Sequence, residues 1–223
     1  RKSDNEIFIS TILKHLNLLS PEVNLIDLEM FNINKKYLFY ENLNKEFLER
    51  NNRVEGPIIR GDERFFFNKN KKNLIFARLE NSNWIKQNNI KHIHRSVEAI
   101  TLANRLFISN TTISDLNRDP HLKFNYSLVD GHIKSEEVKK FRLLMNAFGA
   151  FNSLSVNDVR FYYDPIFKKL DLIYNDGSTS FLQTPNKINY SYINIEEIEK
   201  IDSLIKHLNN INIQKIEQDL FER

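Results

Sequence analysis

The chain has 223 residues, 41% of them hydrophobic, and a formal charge of +3 with acids and bases interspersed. That is enough apolar material for one domain, or one domain of two lobes, and the absence of cysteine excludes a disulfide framework, thiolate metal sites and a cysteine nucleophile. The charge is too small and too mixed to mark a nucleic-acid binder, and no apolar run reaches the length of a membrane span, so neither a nucleic-acid partner nor a membrane span is expected.

The first residues, Arg1-Lys2-Ser3, lack an initial Met and run straight into a helical pattern, so sequence is expected to be missing upstream. Ile9, Ile12, Leu13, Leu16 and Leu19 recur at helical spacing between Asp4, a candidate N-cap, and Pro21. Leu25 to Phe31 and Lys36 to Glu41 flank the Asn-rich turn Asn32 to Lys35, which predicts an antiparallel hairpin whose second strand ends in Glu41. A short charged helix follows over Asn44 to Asn52, then a brief strand over Pro57 to Arg60 stopped by Gly61 and Asp62. Asn68 to Lys72 is a basic polar run of the kind that stays solvated in a loop. Leu74 to Leu79 predicts another strand, and Ile93 to Ile108 a helix with Val97, Ile100, Ala103 and Phe107 toward one face.

Ser109 to Lys134 is polar and turn-prone and is read as loop with short helical pieces. Ser135, with Glu136 and Glu137 in the first turn, starts a helix running through Phe141, Leu144, Met145 and Phe148 to Gly149. Val159 to Tyr163 and Leu170 to Tyr174 then form a hairpin around Asp164-Pro165. Ile195 to Leu208 and Ile211 to Phe221 have the pattern of two terminal helices. No repeat and no Pro- or Ser-rich linker divides the chain.

The block NSLSVNDVRFYYDPIFKKLDLIYNDG, from Asn152 to Gly177, carries the chemistry. A hairpin here brackets itself with carboxylates, Asp158 before its first strand and Asp176 after its second. Both then fall at one end, where they can share a hard divalent cation that prefers oxygen ligands. Asp176 is equally an Asp-Gly turn residue; Asp164 is accounted for by the turn before Pro165, and Asp171 by an exposed strand position.

On these residues the segment resembles the metal-binding end of the spore-coat protein H (CotH) family of atypical, protein-kinase-like proteins. A second block, YLFYENLNKEFLERNNRVEGPIIRGDERF from Tyr37 to Phe65, is similar to the family's strand ending in Glu, followed by a helix and a strand leading to Asp-Glu. With Lys139 to Ala150 ahead of the hairpin, the resemblance spans about Asp4 to Phe181, on motifs looser than those of true kinases. It implies an α+β, two-lobed, kinase-like domain, residues 1–90 forming an N-terminal lobe and 91–223 a mainly helical lobe, with N-terminal strands of the family absent. It also implies ATP- and magnesium-dependent phosphoryl transfer to a protein substrate.

By the resemblance, Asp176 takes the part of the cation-binding Asp, and Asn157 or Asp158 that of the catalytic-loop Asn, with both positions open. Glu41 matches a residue that pairs with a cation or supports the nucleotide site, and Arg60 a basic residue that reaches phosphates; a surface ion pair or strand-end solvation is the more ordinary account of both. Asp62 and Glu63 are possible lining. The residue that orients the attacking hydroxyl falls at Asn152, where active members carry Asp. An amide oxygen is too weakly basic to take that proton, so an inactive, pseudokinase-like scaffold or envelope-associated binding module is the alternative.

Other chemistries are not supported. His92 and His94 face different sides of a helix, only Glu98 sharing a face with His94, so zinc is excluded. No nucleophile elbow, Walker A loop or dinucleotide fingerprint occurs, and five glycines leave little for a phosphate-cradling loop. Trp84, Tyr162-Tyr163 and Phe65 to Phe67 are expected in the core.

Overall fold

The computed structural model describes residues 2–31, 33–62, 75–86, 90–110, 131–133, 135–155, 158–179, 205–206 and 209–221. Glu63, Phe65 to Phe67, the basic run Asn68 to Lys72, Leu74, Asn157, most of the loop predicted over 109–134 and most of the helix predicted over 195–208 lie outside these residues.

The fold is α+β: among the described residues, a four-stranded antiparallel sheet with helices on both faces and a separate two-stranded hairpin. Helix α1 (Lys2–His15) buries Ile9, Ile12 and Leu13. It stops short of Leu19 because Asn17 takes the left-handed conformation, φ 57°, and the Leu18 N–H closes back on the Leu13 carbonyl at 2.9 Å. Helices α2 (Lys45–Arg50) and α5 (Ser135–Ala147) end in the same way, at Asn52 and Gly149. Asn44 caps α2, its side chain accepting from the Phe47 N–H at 3.2 Å.

Strands β1 (Val23–Met30) and β2 (Ile33–Tyr40) pair down to Met30 and Ile33, leaving Phe31 and Asn32 between them instead of the wider turn expected over Asn32 to Lys35. The longer ladder satisfies more backbone groups, and Phe31 accommodates the tight connection at φ 50°.

The main sheet runs β4 (Ala77–Leu79), β3 (Ile58–Gly61), β5 (Arg160–Asp164), β6 (Lys169–Ile173), so two strands come from before residue 90 and two from after it. Alternation divides its side chains between two cores. Ile59, Phe161, Tyr163, Leu170 and Leu172 pack with α1, α5 and α4 (Ile90–Asn110); Ile58, Tyr162 and Ile173 pack with Leu19, Leu43 and the Phe47–Leu48 pair of α2. The β5–β6 turn is held by Asp164, whose carboxylate accepts from the N–H groups of Ile166 at 2.9 Å and Phe167 at 3.2 Å. Asp171, expected exposed, is buried, because Arg53 from the segment after α2 crosses the strand and pairs with it at 3.5 Å.

The short helix α3 (Asn83–Lys86) sets Trp84 in the interior, stacked on His92 at 4.2 Å between ring centres. Helix α6 (Ile213–Phe221) lies against α1, with Asp219 3.1 Å from the His15 ring. Among the described residues no helix is long and apolar enough to cross a membrane.

Candidate functional site at the end of the sheet

The antiparallel register brings the end of β3, the starts of β4 and β5 and the end of β6 to one edge, since Gly61 pairs with Ala77 and Arg160 with both Arg60 and Ile173. Asp158 stands two residues before β5 and Asp176 three after β6, so both acids flank this edge. A single turn of 3₁₀ helix, Phe151–Leu154, is tied to it: Ser153 donates to the Asn175 carbonyl at 2.8 Å, which sets Asn152 beside the strand that leads to Asp176.

The side chains at this edge differ in what holds them. Asp158 is half-buried and accepts from the Ser155 hydroxyl at 3.0 Å. Asn152 is half-buried too; it is its backbone carbonyl that accepts from the Ser155 N–H at 2.9 Å and, in competition with Asp158, from the Ser155 hydroxyl at 2.7 Å. Asp176 is exposed and sits at φ 33°, a left-handed conformation that Asp tolerates better than most residues. Gly177 follows for a steric reason: a Cβ there would lie 2.6 Å from the Tyr174 hydroxyl and 2.8 Å from the Ala150 side chain. Asn157 lies outside the described residues.

Behind Asp176 is a buried carboxylate that sequence reasoning missed. Glu6, 5% exposed, accepts from the Tyr174 hydroxyl at 2.6 Å and from the Thr179 N–H at 3.4 Å. Burial holds the Tyr174 hydroxyl far above the ordinary tyrosine range, and the Glu6 charge adds to the effect. Tyr40 shifts the same way, chiefly through burial, with the charges of Glu6 and then Asp176 adding to it. The available signal was Glu6 itself, which shares the helical stripe of Ile9 and Leu13.

Arg60 and Glu41 are held by different partners. Glu41 accepts from Arg50, with Nε at 3.0 Å and a second contact through Nη2, and from the Glu22 N–H at 2.9 Å. Arg60 faces Glu80, its Nη1 3.4 Å from one oxygen and its Nε 3.2 Å from the other, the latter without hydrogen-bond alignment. Glu80 also lies 4.0 Å from the Nε of Arg160, a buried arginine unremarked in the sequence although a charge inside an aromatic strand is the signal for it. Asp62 is buried next to this edge, its N–H bonded to the Phe76 carbonyl at 2.7 Å.

Among the described residues no three of His, Asp and Glu stand together as a ready-made metal cage. A phosphate-bridging magnesium does not need one, since it takes one or two protein oxygens and completes its shell with phosphate and water. Asp176, exposed, and Asp158, at the same edge, fit that requirement. No model of a known protein family matches this chain, and no curated protein matches it either.

Proposed function

We propose that this chain is an atypical, two-lobed protein-kinase-like domain that binds ATP with magnesium at the open edge of its four-stranded sheet. The observation that carries the reading is the convergence of Asp158, Asp176 and Arg60 on one edge from distant parts of the chain. Opposite charges at one open edge suit a ligand that is itself an anion bound to a cation. Asp176 and Asp158 would hold magnesium, which when bound neutralises charge on the phosphates. Arg60 supplies a fixed fork of donors to phosphate oxygens. Asn152, in the 3₁₀ turn tied to the strand leading to Asp176, would orient a protein hydroxyl by hydrogen bonding but could not accept its proton at neutral pH.

That last point favours a second reading, a pseudokinase-like module that binds nucleotide and a protein partner without transfer. A thermal-shift titration separates both from a protein with no nucleotide site, because a ligand bound by the native state raises its apparent stability. ATP with magnesium is expected to raise the melting temperature, and Asp176→Asn to abolish the magnesium-dependent part. No shift at saturating ATP and magnesium would end the nucleotide reading. If ATP binds, radiolabel transfer to protein, compared between the wild type and Asn152→Asp, decides between kinase and pseudokinase.

A further inference from the structure

Three arginines stand abreast on the main sheet. Arg78 of β4 pairs with Arg60 of β3, and Arg60 pairs on its other side with Arg160 of β5. Directly opposed residues on neighbouring strands point to the same face, and the approach of Glu80 to both Arg60 and Arg160 confirms the shared face. Glu80 is two residues beyond Arg78, which puts Arg78 there as well.

Like charges directly opposed across strands repel, and sheets ordinarily alternate them with acids. Here Arg78 ends with its Nε buried and without a hydrogen-bond partner, and Arg60 has its Nε in the same condition although Glu80 is near. Arg160 is fixed, 6% exposed, with its Nη1 donating to the Asp158 carbonyl at 2.7 Å. We infer that the row Arg78–Arg60–Arg160 is a polyphosphate grip that binds a chain of two or three phosphoryl groups directly, without the metal. With neighbouring strands about 4.8 Å apart, the outer α-carbons lie roughly 10 Å from one another, a span that such a chain can follow. Planar guanidinium forks match phosphate oxygens two at a time, and the buried donors of Arg78 and Arg60 gain partners when the anion arrives.

This inference rests on the reading of the edge as a phosphate site, but not on magnesium. The probe is sodium tripolyphosphate in EDTA at low salt, titrated calorimetrically into the 223-residue chain. The wild type is expected to bind. Arg78→Gln should weaken binding by about tenfold or more, the loss of one charge-assisted pair. Lys168→Gln, which removes the same charge at the far end of the β5–β6 hairpin, should leave it unchanged. Glu80→Gln should tighten it, because the carboxylate that competes with phosphate for Arg60 and Arg160 is gone.

Absence of tripolyphosphate binding, or an Arg78→Gln protein that binds like the wild type, overturns the inference. Should Arg78→Gln fail to fold, Glu80→Gln decides alone: tighter binding supports the grip, and unchanged or weaker binding overturns it. A parallel titration with ATP and magnesium keeps the two ideas apart. Binding there without metal-free tripolyphosphate binding refutes the grip and spares the nucleotide reading; the converse refutes the nucleotide reading and spares the grip.

Discussion

Raising the pH is expected to destabilise this protein, chiefly through three buried tyrosines. Tyr162, Tyr163 and Tyr174 are fully buried, and burial is the main cause holding all three hydroxyls far above their ordinary range. Asp164 adds to the effect at Tyr162, Glu98 at Tyr163 and Glu6 at Tyr174. Tyr162 also donates to the Val54 carbonyl at 2.7 Å, a bond its phenolate would lose.

In the unfolded chain these groups ionise near pH 10, whereas the native state keeps them protonated well beyond it. The unfolded state therefore binds fewer protons above that pH, and stability falls as pH rises. The contribution is fully present below about pH 10 and is lost as pH climbs toward the raised folded values. At pH 11 each group has cost about 1.4 kcal/mol, so the three together remove about 4 kcal/mol, against a total of roughly 5–15 kcal/mol for an ordinary domain. Urea unfolding at a series of pH values from 9 to 11 measures the fall, and tyrosinate absorbance should rise cooperatively with loss of structure. Tyr174→Phe should remove its own share of the slope. A stability that stays level to pH 11, or the absorbance of all eight tyrosines appearing along an ordinary titration curve in a protein still folded, would refute the argument.

Two further outcomes are expected. Gly56→Ala should destabilise the protein by about 1–3 kcal/mol in urea unfolding, as overpacking does. Its Cβ would come 2.7 Å from the Tyr163 carbonyl oxygen and 3.0 Å from the Tyr162 ring, and the first of these is backbone that cannot step aside. Arg50→Ala strips Glu41 of its guanidinium partner and should cost about 1–3 kcal/mol, the range for a hydrogen-bonded charge that loses its mate. A tenfold loss of affinity for ATP with magnesium in that variant would show that Glu41 serves the nucleotide site rather than the junction of α2 with the hairpin.

Most elements were legible in the sequence because their signals are local. The Asn44 cap, the turn at Asp164-Pro165 and the apolar stripe of α1 each act within a few residues, and each marks an element found where the pattern put it. Helix ends were overrun at Leu19 and Asn52. A left-handed Asn can end a helix where Gly is the usual residue, yet in an Asn-rich chain one more Asn is a weak sign. The expectation that Asp158 and Asp176 bracket a hairpin followed from the same local logic, since an antiparallel pair must return its second strand to the end where the first began.

What the order of residues did not disclose is which strands lie side by side. That β3 inserts between β4 and β5, so that Arg78, Arg60 and Arg160 come level, depends on burying Ile59, Phe161 and Tyr163 against α4 and α5 while Ile58 and Tyr162 meet α2. The burial of Asp171 under Arg53, and of Glu6 against Tyr174, are likewise long-range events. Local chemistry determined where this chain bends, caps and alternates. Only the competition for a shared apolar interior decided which of its distant charges would face one another.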